Sequence, residues 1–326
     1  MDILVLGSLN MDLVARVERL PQPGETLMGS SFVTVPGGKG ANQAVAAARL
    51  GASVAMVGRI GDDKFGESLR SHLQDENVDT RSLSVSSKQP SGTALIAVAA
   101  DNNQIIVVPG ANNEVGDAEL DQLTSYFEQA NVLLLQFEIP LKTVQKAAAL
   151  AHKAGLLVIV DPAPVQGKLS DDFCQHISIL TPNQTEAELL TGIEVVDMDS
   201  AIAAATSLHQ RGIETVIVKL GQLGCACVGT VGAFRFPAFA VDAVDTVAAG
   251  DAFNGGLAAA ICSPICGLKA ADLDARVSEA FSGEDPALLQ STVRYASAVA
   301  ALAVTRSGAQ SAMPTAAEVE AFLAAV

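Results

Sequence analysis

Six short apolar runs punctuate the chain: ILVLGS from Ile3, VAMVGR from Val54, VLLLQFE from Val132, LLVIVDP from Leu156, ISILTPN from Ile177 and TVIVKLG from Thr215. Each is apolar at successive positions, so each has to be buried on both of its faces, as strands of a helix-covered parallel sheet are. The stretches between and after them, 43–50, 65–76, 141–153, 200–211 and 251–261 among them, carry helix formers at helical spacing. Alternation of this kind predicts right-handed crossovers and a three-layer α/β/α, Rossmann-like core with a mainly parallel sheet. Two stretches break the pattern. Residues 12–35 and 93–108 alternate apolar and polar side chains around PQPGE and DNN turns, which predicts antiparallel hairpins outside the sheet. A small β-sheet lid over the carboxyl ends of the parallel strands, where such sheets bind ligands, accounts for both, with residues 1–326 forming one domain.

Hydrophobic residues make up 49% of the 326, but they are spread through Ala-rich segments and never run unbroken for the length of a bilayer span. The opening MDILVLGSLNMD enters an apolar run with no basic stretch before it, so it does not read as a signal peptide and the expected place of work is the cytoplasm. Acidic residues outnumber basic ones 36 to 20, a net charge of −16, and no basic run exists to follow a nucleic-acid backbone. An anionic ligand would therefore have to be met locally, by backbone amides, one or two cations and a divalent metal. The five cysteines are odd in number and unaccompanied by paired histidines, so they read as reduced core thiols, with Cys225 and Cys227 on one face of a strand. None of the four scattered histidines reads as a ligand or a base.

Three constellations carry chemistry. In PGGKGANQAVAAARLG, residues 36–51, the glycines Gly37, Gly38 and Gly40 allow backbone amides to approach a ligand, and Asn42 stands at the start of a helix. A flexible turn before a helix is the plainer alternative, and the pattern is neither a Walker A loop nor a dinucleotide fingerprint. In DTVAAGDAFNGGLAAA, residues 245–260, Ala248, Ala249 and Gly250 are small residues at a helix start, where free N–H groups attract developing negative charge. Asp251 in that first turn is either a stabilising terminal charge or a base. The Ala-Ala-Gly before it and Gly255-Gly256 after it favour the base, because a plain cap needs no such stripped backbone. In TPNQTEAELLTG, residues 181–192, Asn183 and Glu186 lie one turn apart, a spacing suited either to capping or to organising water on Mg²⁺.

Taken together these segments resemble the ribokinase-like, PfkB-type carbohydrate kinases along nearly the whole chain. The first family signature matches residues 37–61, with Asn42, Gly51 and GRIGDD, the second matches 245–258, and Asn183 with Glu186 matches the family's Asn-x-x-Glu. GSLNMDLV, LPQPGET, QFEIP, DPAP and VTRSGAQ look like further segments of the family.

The resemblance implies transfer of the ATP γ-phosphoryl to a primary hydroxyl of a small sugar, D-ribose first, with deoxyribose, a nucleoside or another sugar as alternatives. It implies Asp251 as catalytic base, Ala249 and Gly250 as anion hole, and Asn10, Asp12, Gly38, Lys39, Asn42 and Glu138 around the sugar. Asn183, Lys219, Gly221, Gly224 and Gly250 match the nucleotide side, and Glu186 would act on Mg²⁺ through water. Asp245, Val247, Ala303, Arg306 and Gly308 match loops that bind K⁺, mostly through backbone carbonyls, and a homodimer through the lid is the implied assembly. Three positions depart from the family pattern. Ser297 replaces a His or Asn beside adenine, Ala312 replaces a Ser at the cation site with Ser311 adjacent, and residues 263–290 form a longer segment, read as a surface excursion. A sugar sensor without catalysis is the reading from another class, which an intact base beside an anion hole argues against.

Overall fold

The computed structural model describes residues 1–99, 102–230, 232–262 and 286–326. Its first half runs β1 (Ile3–Leu6), β2 (Asn10–Arg16), β3 (Ser31–Gly37), α1 (Lys39–Arg49), β4 (Val54–Gly61), α2 (Lys64–Asp75), β5 (Leu83–Ser86), β6 (Gly92–Val98), β7 (Asn103–Val108) and α3 (Asp117–Thr124). There follow β8 (Val132–Gln136), α4 (Leu141–Lys153), β9 (Leu157–Asp161), α5 (Asp171–Cys174), β10 (Ile179–Leu180), α6 (Gln184–Thr191) and α7 (Met198–His209). The last part holds β11 (Thr215–Lys219), β12 (Cys225–Gly229), β13 (Gly232–Phe236), α8 (Ala249–Cys262), α9 (Pro286–Ala303) and α10 (Ala316–Ala325).

All six apolar runs join one nine-stranded sheet, ordered β13-β12-β11-β10-β9-β8-β1-β4-β5. Its strands from β5 to β11 pair in parallel, and only β12 and β13 run antiparallel at one edge. Period-two alternation sorts each strand between two cores: Ile3, Val5, Val132 and Leu134 pack with α1, α8 and α9, while Leu4, Leu6, Leu133 and Leu135 pack with α3, α4 and α7. Full burial of each such side chain contributes about 1.5–3 kcal/mol. Cys225 and Cys227 share the first core, as expected of same-face strand residues, and burial pushes the Cys225 thiol up to about 12. The four described cysteines are free, and Cys266 lies outside the described residues.

The segments expected to form the lid make a second, four-stranded sheet, β3-β2-β6-β7. Both expected hairpins are present, and β2 pairs with β6 in parallel to join them. Pairing begins at Asn10 with Gly37, so Asn10 opens β2 and lies beyond the end of β1. Of the expected excursion at 263–290, residues 263–285 lie outside the described residues, and the remainder begins α9 with Leu288 and Leu289 buried.

Candidate active site

The carboxyl ends of β8, β9 and β11 and the start of α8 converge on Asp251, which is only 4% exposed. Ahead of it the backbone is unusual. Ala248 adopts a left-handed φ of 58°, a strained choice for a residue with a Cβ, and the helix begins at the next residue. The opening N–H groups of α8 have no helical partners of their own and carry the positive end of its dipole. Lys219 lies alongside: a Cβ on Gly250 would sit 3.2 Å from its Nζ. Glycine at 250 thus leaves a cation and helix-start amides open to the same volume.

Asp251 is held by two amides from α1. Asn42 Nδ2 donates to Oδ2 over 2.9 Å, and Gln43 Nε2 donates to Oδ1 over 3.1 Å. Asp161, at the end of β9, accepts from the same Gln43 nitrogen at 3.1 Å and from Lys219 Nζ at 3.1 Å. Lys39 Nζ stands 3.9 Å from Asp161. Burial pushes the Asp251 carboxyl up, opposed by Lys39 and by the Asn42 and Gln43 amides and assisted by Asp161. Burial works against the charge on Lys39, yet Asp251, Asp161, Glu138 and Glu186 together hold its pKa above the ordinary lysine value. The arrangement is a buried carboxylate with a raised pKa facing a permanent cation, suited to accepting a proton.

On the lid side, alternation along β2 turns Asn10 and Asp12 toward one face. Glu138 accepts hydrogen bonds from Ser8 Oγ and from the Lys39 backbone N–H, at 2.5 and 3.1 Å. Asn112 donates to Asn10 Oδ1 over 2.8 Å and exchanges two bonds with the Leu9 backbone, which fixes the start of β2. Burial, with Glu138 and Asp251 nearby, raises the Asp12 carboxyl to about 7. The glycines of this loop make room for the protein itself. A Cβ on Gly37 would lie 2.4 Å from Asp12 Oδ2, one on Gly38 2.7 Å from Asn10 N, and one on Gly40 2.7 Å from Ser8 N. Their absent side chains let α1 dock on the Ser8–Asn10 backbone, and this docking carries Lys39 and Asn42 into the site.

On the opposite side, Asn183 and Glu186 form a capping box: Asn183 Oδ1 accepts from Glu186 N, and Glu186 Oε2 accepts from Asn183 N. Burial and Asp161 raise the Glu186 carboxyl, while Lys219 and Lys39 pull it down, so it shares the field of the central carboxylates. Gly221 and Gly224 shape the turn from β11 into β12 with φ of 56° and 98°. Asp245 joins two loops, accepting from Val247 N and Gly308 N at 3.0 Å each, while Val304 O accepts from Val244 N and Asp245 N. The Arg306 side chain turns away to Glu318, and Ala303 is buried on α9. Ser297 Oγ donates to Val293 O, one turn earlier in α9.

The model of the family described as pfkB family carbohydrate kinase matches residues 1–316. The chain belongs to the pfkB family of carbohydrate kinases. Among pfkB relatives, it is 42% identical to ribokinase of Haemophilus influenzae over 323 residues, covering 98% of each chain. It is 37% identical to deoxyribokinase of Salmonella typhi over 256 residues, which is 78% of this chain and 84% of that one. The structure of Arabidopsis thaliana ribokinase complexed with ribose and ATP matches with a TM-score of 0.83 at 30% identity over 99% of this chain and 98% of that one. The reaction class expected from the sequence, ATP-dependent phosphorylation of a sugar, is that of the family.

Two features of this pfkB site escape sequence reasoning. Asp161 and Gln43 stand at its centre, yet DPAP and GANQ give them no role, because their importance arises from where β9 ends relative to α1. Gly255 and Gly256 correct an expectation: they are not stripped backbone for an anion. A Cβ on Gly255 would lie 2.5 Å from Ala46 Cβ, and one on Gly256 2.9 Å from Val299 Cγ2, so they let α8 approach α1 and α9.

Proposed function

We propose that this pfkB-family kinase transfers the γ-phosphoryl of ATP to the primary hydroxyl of D-ribose, giving ribose 5-phosphate and ADP. The observation that carries the reading is Asp251, a buried carboxylate with a raised pKa at the amide-rich start of α8, beneath a lid strand bearing Asn10 and Asp12. The relative from Haemophilus influenzae is a ribokinase, and the Arabidopsis protein binds ribose and ATP. Asn10, Asp12, Glu138, Lys39, Asn42 and the backbone at Gly38 hold the sugar hydroxyls. Asp251 accepts the proton of the terminal hydroxyl as its oxygen attacks the γ-phosphorus, and the ADP oxygen leaves in line. The amides at Ala249 and Gly250, with Lys219 beside them, meet the charge that develops on the transferred group. Asn183, Gly221, Gly224 and Ser297 border the nucleotide, and a closed lid keeps water from taking the phosphoryl.

The donor sets fit two cations. Glu186 has a free lone pair on each oxygen and lies in the field of Asp161, Lys219 and Lys39, which suits Mg²⁺ held through water. The ion supplies charge neutralisation on the phosphates. Asp245 ties 245–247 to 304–308, gathering the backbones of Val247, Ala303, Arg306 and Gly308 proposed to hold K⁺; Ser311 Oγ, bonded to Ser307 O, lies beside this loop. A homodimer through the lid is supported by its exposed apolar residues, Ile106 at 62% among them. The proposed compartment is the cytoplasm, where ATP is available, and no helix among the described residues is long and apolar enough to cross a membrane.

Deoxyribose is the second acceptor to consider, because the deoxyribokinase relative is nearly as similar as the ribokinases. An ADP-release assay across ribose, deoxyribose, other pentoses, fructose and adenosine tests the proposal: ribose should give the highest kcat/KM. A higher value for any nucleoside overturns it.

A further inference from the structure

We infer that Gln43 is a positioning residue for the base: one side-chain amide donates to both buried carboxylates, and this fixes the rotamer in which Asp251 meets the acceptor hydroxyl. The inference rests on Asp251 being the base. Gln43 is fully buried, and its Nε2 lies 3.1 Å from Asp251 Oδ1 and 3.1 Å from Asp161 Oδ2. The two hydrogens of an NH₂ group diverge in its plane, so one nitrogen can serve two acceptors. The opposite amide orientation would turn the carbonyl lone pairs toward two carboxylates.

The orientation is enforced from behind. Gln136 Nε2, at the end of β8, donates to Gln43 Oε1 over 2.7 Å. Gln136 is itself fully buried and has room only because residue 7 is glycine, since a Cβ there would lie 2.0 Å from Gln136 Oε1. Gly7, Gln136 and Gln43 thus form a chain of buried contacts that ends on the base. Two buried carboxylates that each accept one hydrogen of the same amide are held in a defined geometry, and neither can rotate without leaving the amide half-satisfied.

The groups acting on Asp251 from the elements around it are Lys39 on α1, Asp161 at the end of β9 with its partner Lys219, and Asp12 on β2. Glu138 and Glu186 reach it through Lys39. A donor to the ionised carboxylate favours the ionised form. Without Gln43, Asp251 should ionise only at higher pH, and its side chain should lose one of two tethers.

The experiment compares Gln43→Leu and the isosteric Gln43→Glu with wild type in kcat, sugar KM, thermal midpoint and the pH profile of kcat. We expect kcat to fall by about tenfold or more, the acid limb to move up by about half a pH unit or more, and KM for the sugar to stay within about twofold. Gln136→Leu, which removes only the group behind Gln43, should move the limb the same way by less. An unmoved acid limb in these variants, with or without a lower thermal midpoint, reduces Gln43 to a structural amide and overturns the inference. Asp251→Asn is measured alongside: turnover retained there would remove the base assignment itself, whereas an inactive Asp251→Asn with silent Gln43 variants removes the role of Gln43 alone.

Discussion

Gln310 donates to Asn42 Oδ1 over 2.9 Å, and Asn42 donates in turn to Asp251 Oδ2 over 2.9 Å. The loop after α9 is therefore tied to Asp251 through two buried amides. The same loop carries Gly308, whose N–H is held by Asp245 at 3.0 Å. The segment 304–310 is thus joined to the Asp251 carboxylate by hydrogen bonds within the protein.

Potassium should consequently activate the enzyme at millimolar levels, with little effect of sodium, whose smaller radius suits carbonyls spaced for potassium poorly. Asp245→Ala should weaken the activation further by releasing Val247 and Gly308. Titration of turnover with KCl from a potassium-free Tris buffer decides this. Equal rates with and without potassium would show that the loop needs no ion.

Replacing Asp251 with Asn keeps the shape and the Gln43 contact but cannot accept a proton. Turnover should drop by about 10²-fold or more, with sugar binding little changed by calorimetry. A variant with more than half of wild-type kcat would end the assignment.

Asp12 titrates near 7 in the folded protein against an ordinary 3.8, pushed up first by burial and then by Glu138 and Asp251. The folded state therefore binds a proton more tightly than the unfolded chain, so this group's contribution to stability is full below about pH 4 and is lost as pH rises toward 7. Asp12→Asn removes the loss. Its thermal midpoint relative to wild type should climb between pH 4 and pH 7, and a constant difference across that window would contradict the shift.

Glu186 serves as helix cap and proposed metal-side carboxylate at once. Glu186→Gln should raise the Mg²⁺ concentration needed for half-maximal rate, while the helix start remains because an amide oxygen can still accept from Asn183 N. An unchanged Mg²⁺ titration leaves capping as its sole role.

Gly255→Ala tests the helix contact directly. The added Cβ meets Ala46 Cβ at 2.5 Å and Gln43 O at 2.7 Å, both on α1. Overpacking of this sort costs about 1–3 kcal/mol, and because Gln43 moves with α1, turnover should fall along with the denaturation midpoint. An unaltered midpoint would mean that the helices separate freely.

The core was legible from the chain because its signals are local. Runs such as LLVIVDP and TVIVKLG must be covered on both faces wherever they occur, and the hairpins at 12–35 and 93–108 announce themselves by two-residue alternation and turn residues. Asp251 stood out as a candidate base for the same reason, since a carboxylate at a helix start with small neighbours is visible without any distant partner. The edge strands β5 and β13, and β12 inside one edge, pair through backbone groups that any residue carries, and of these only the GCACVG segment of β12 reads as a strand from its sequence. Asn183 and Glu186 were readable as a cap or a metal-side pair, and the capping box is what folding shows. What tertiary structure alone decided is the company Asp251 keeps. Asn42 and Gln43 come from about 200 positions away along the chain, and Asp161, Lys219 and Gln310 arrive on three other segments. Their bonds depend on where strands end and how closely α8 can approach α1, a distance set by Gly255, and no local pattern encodes it.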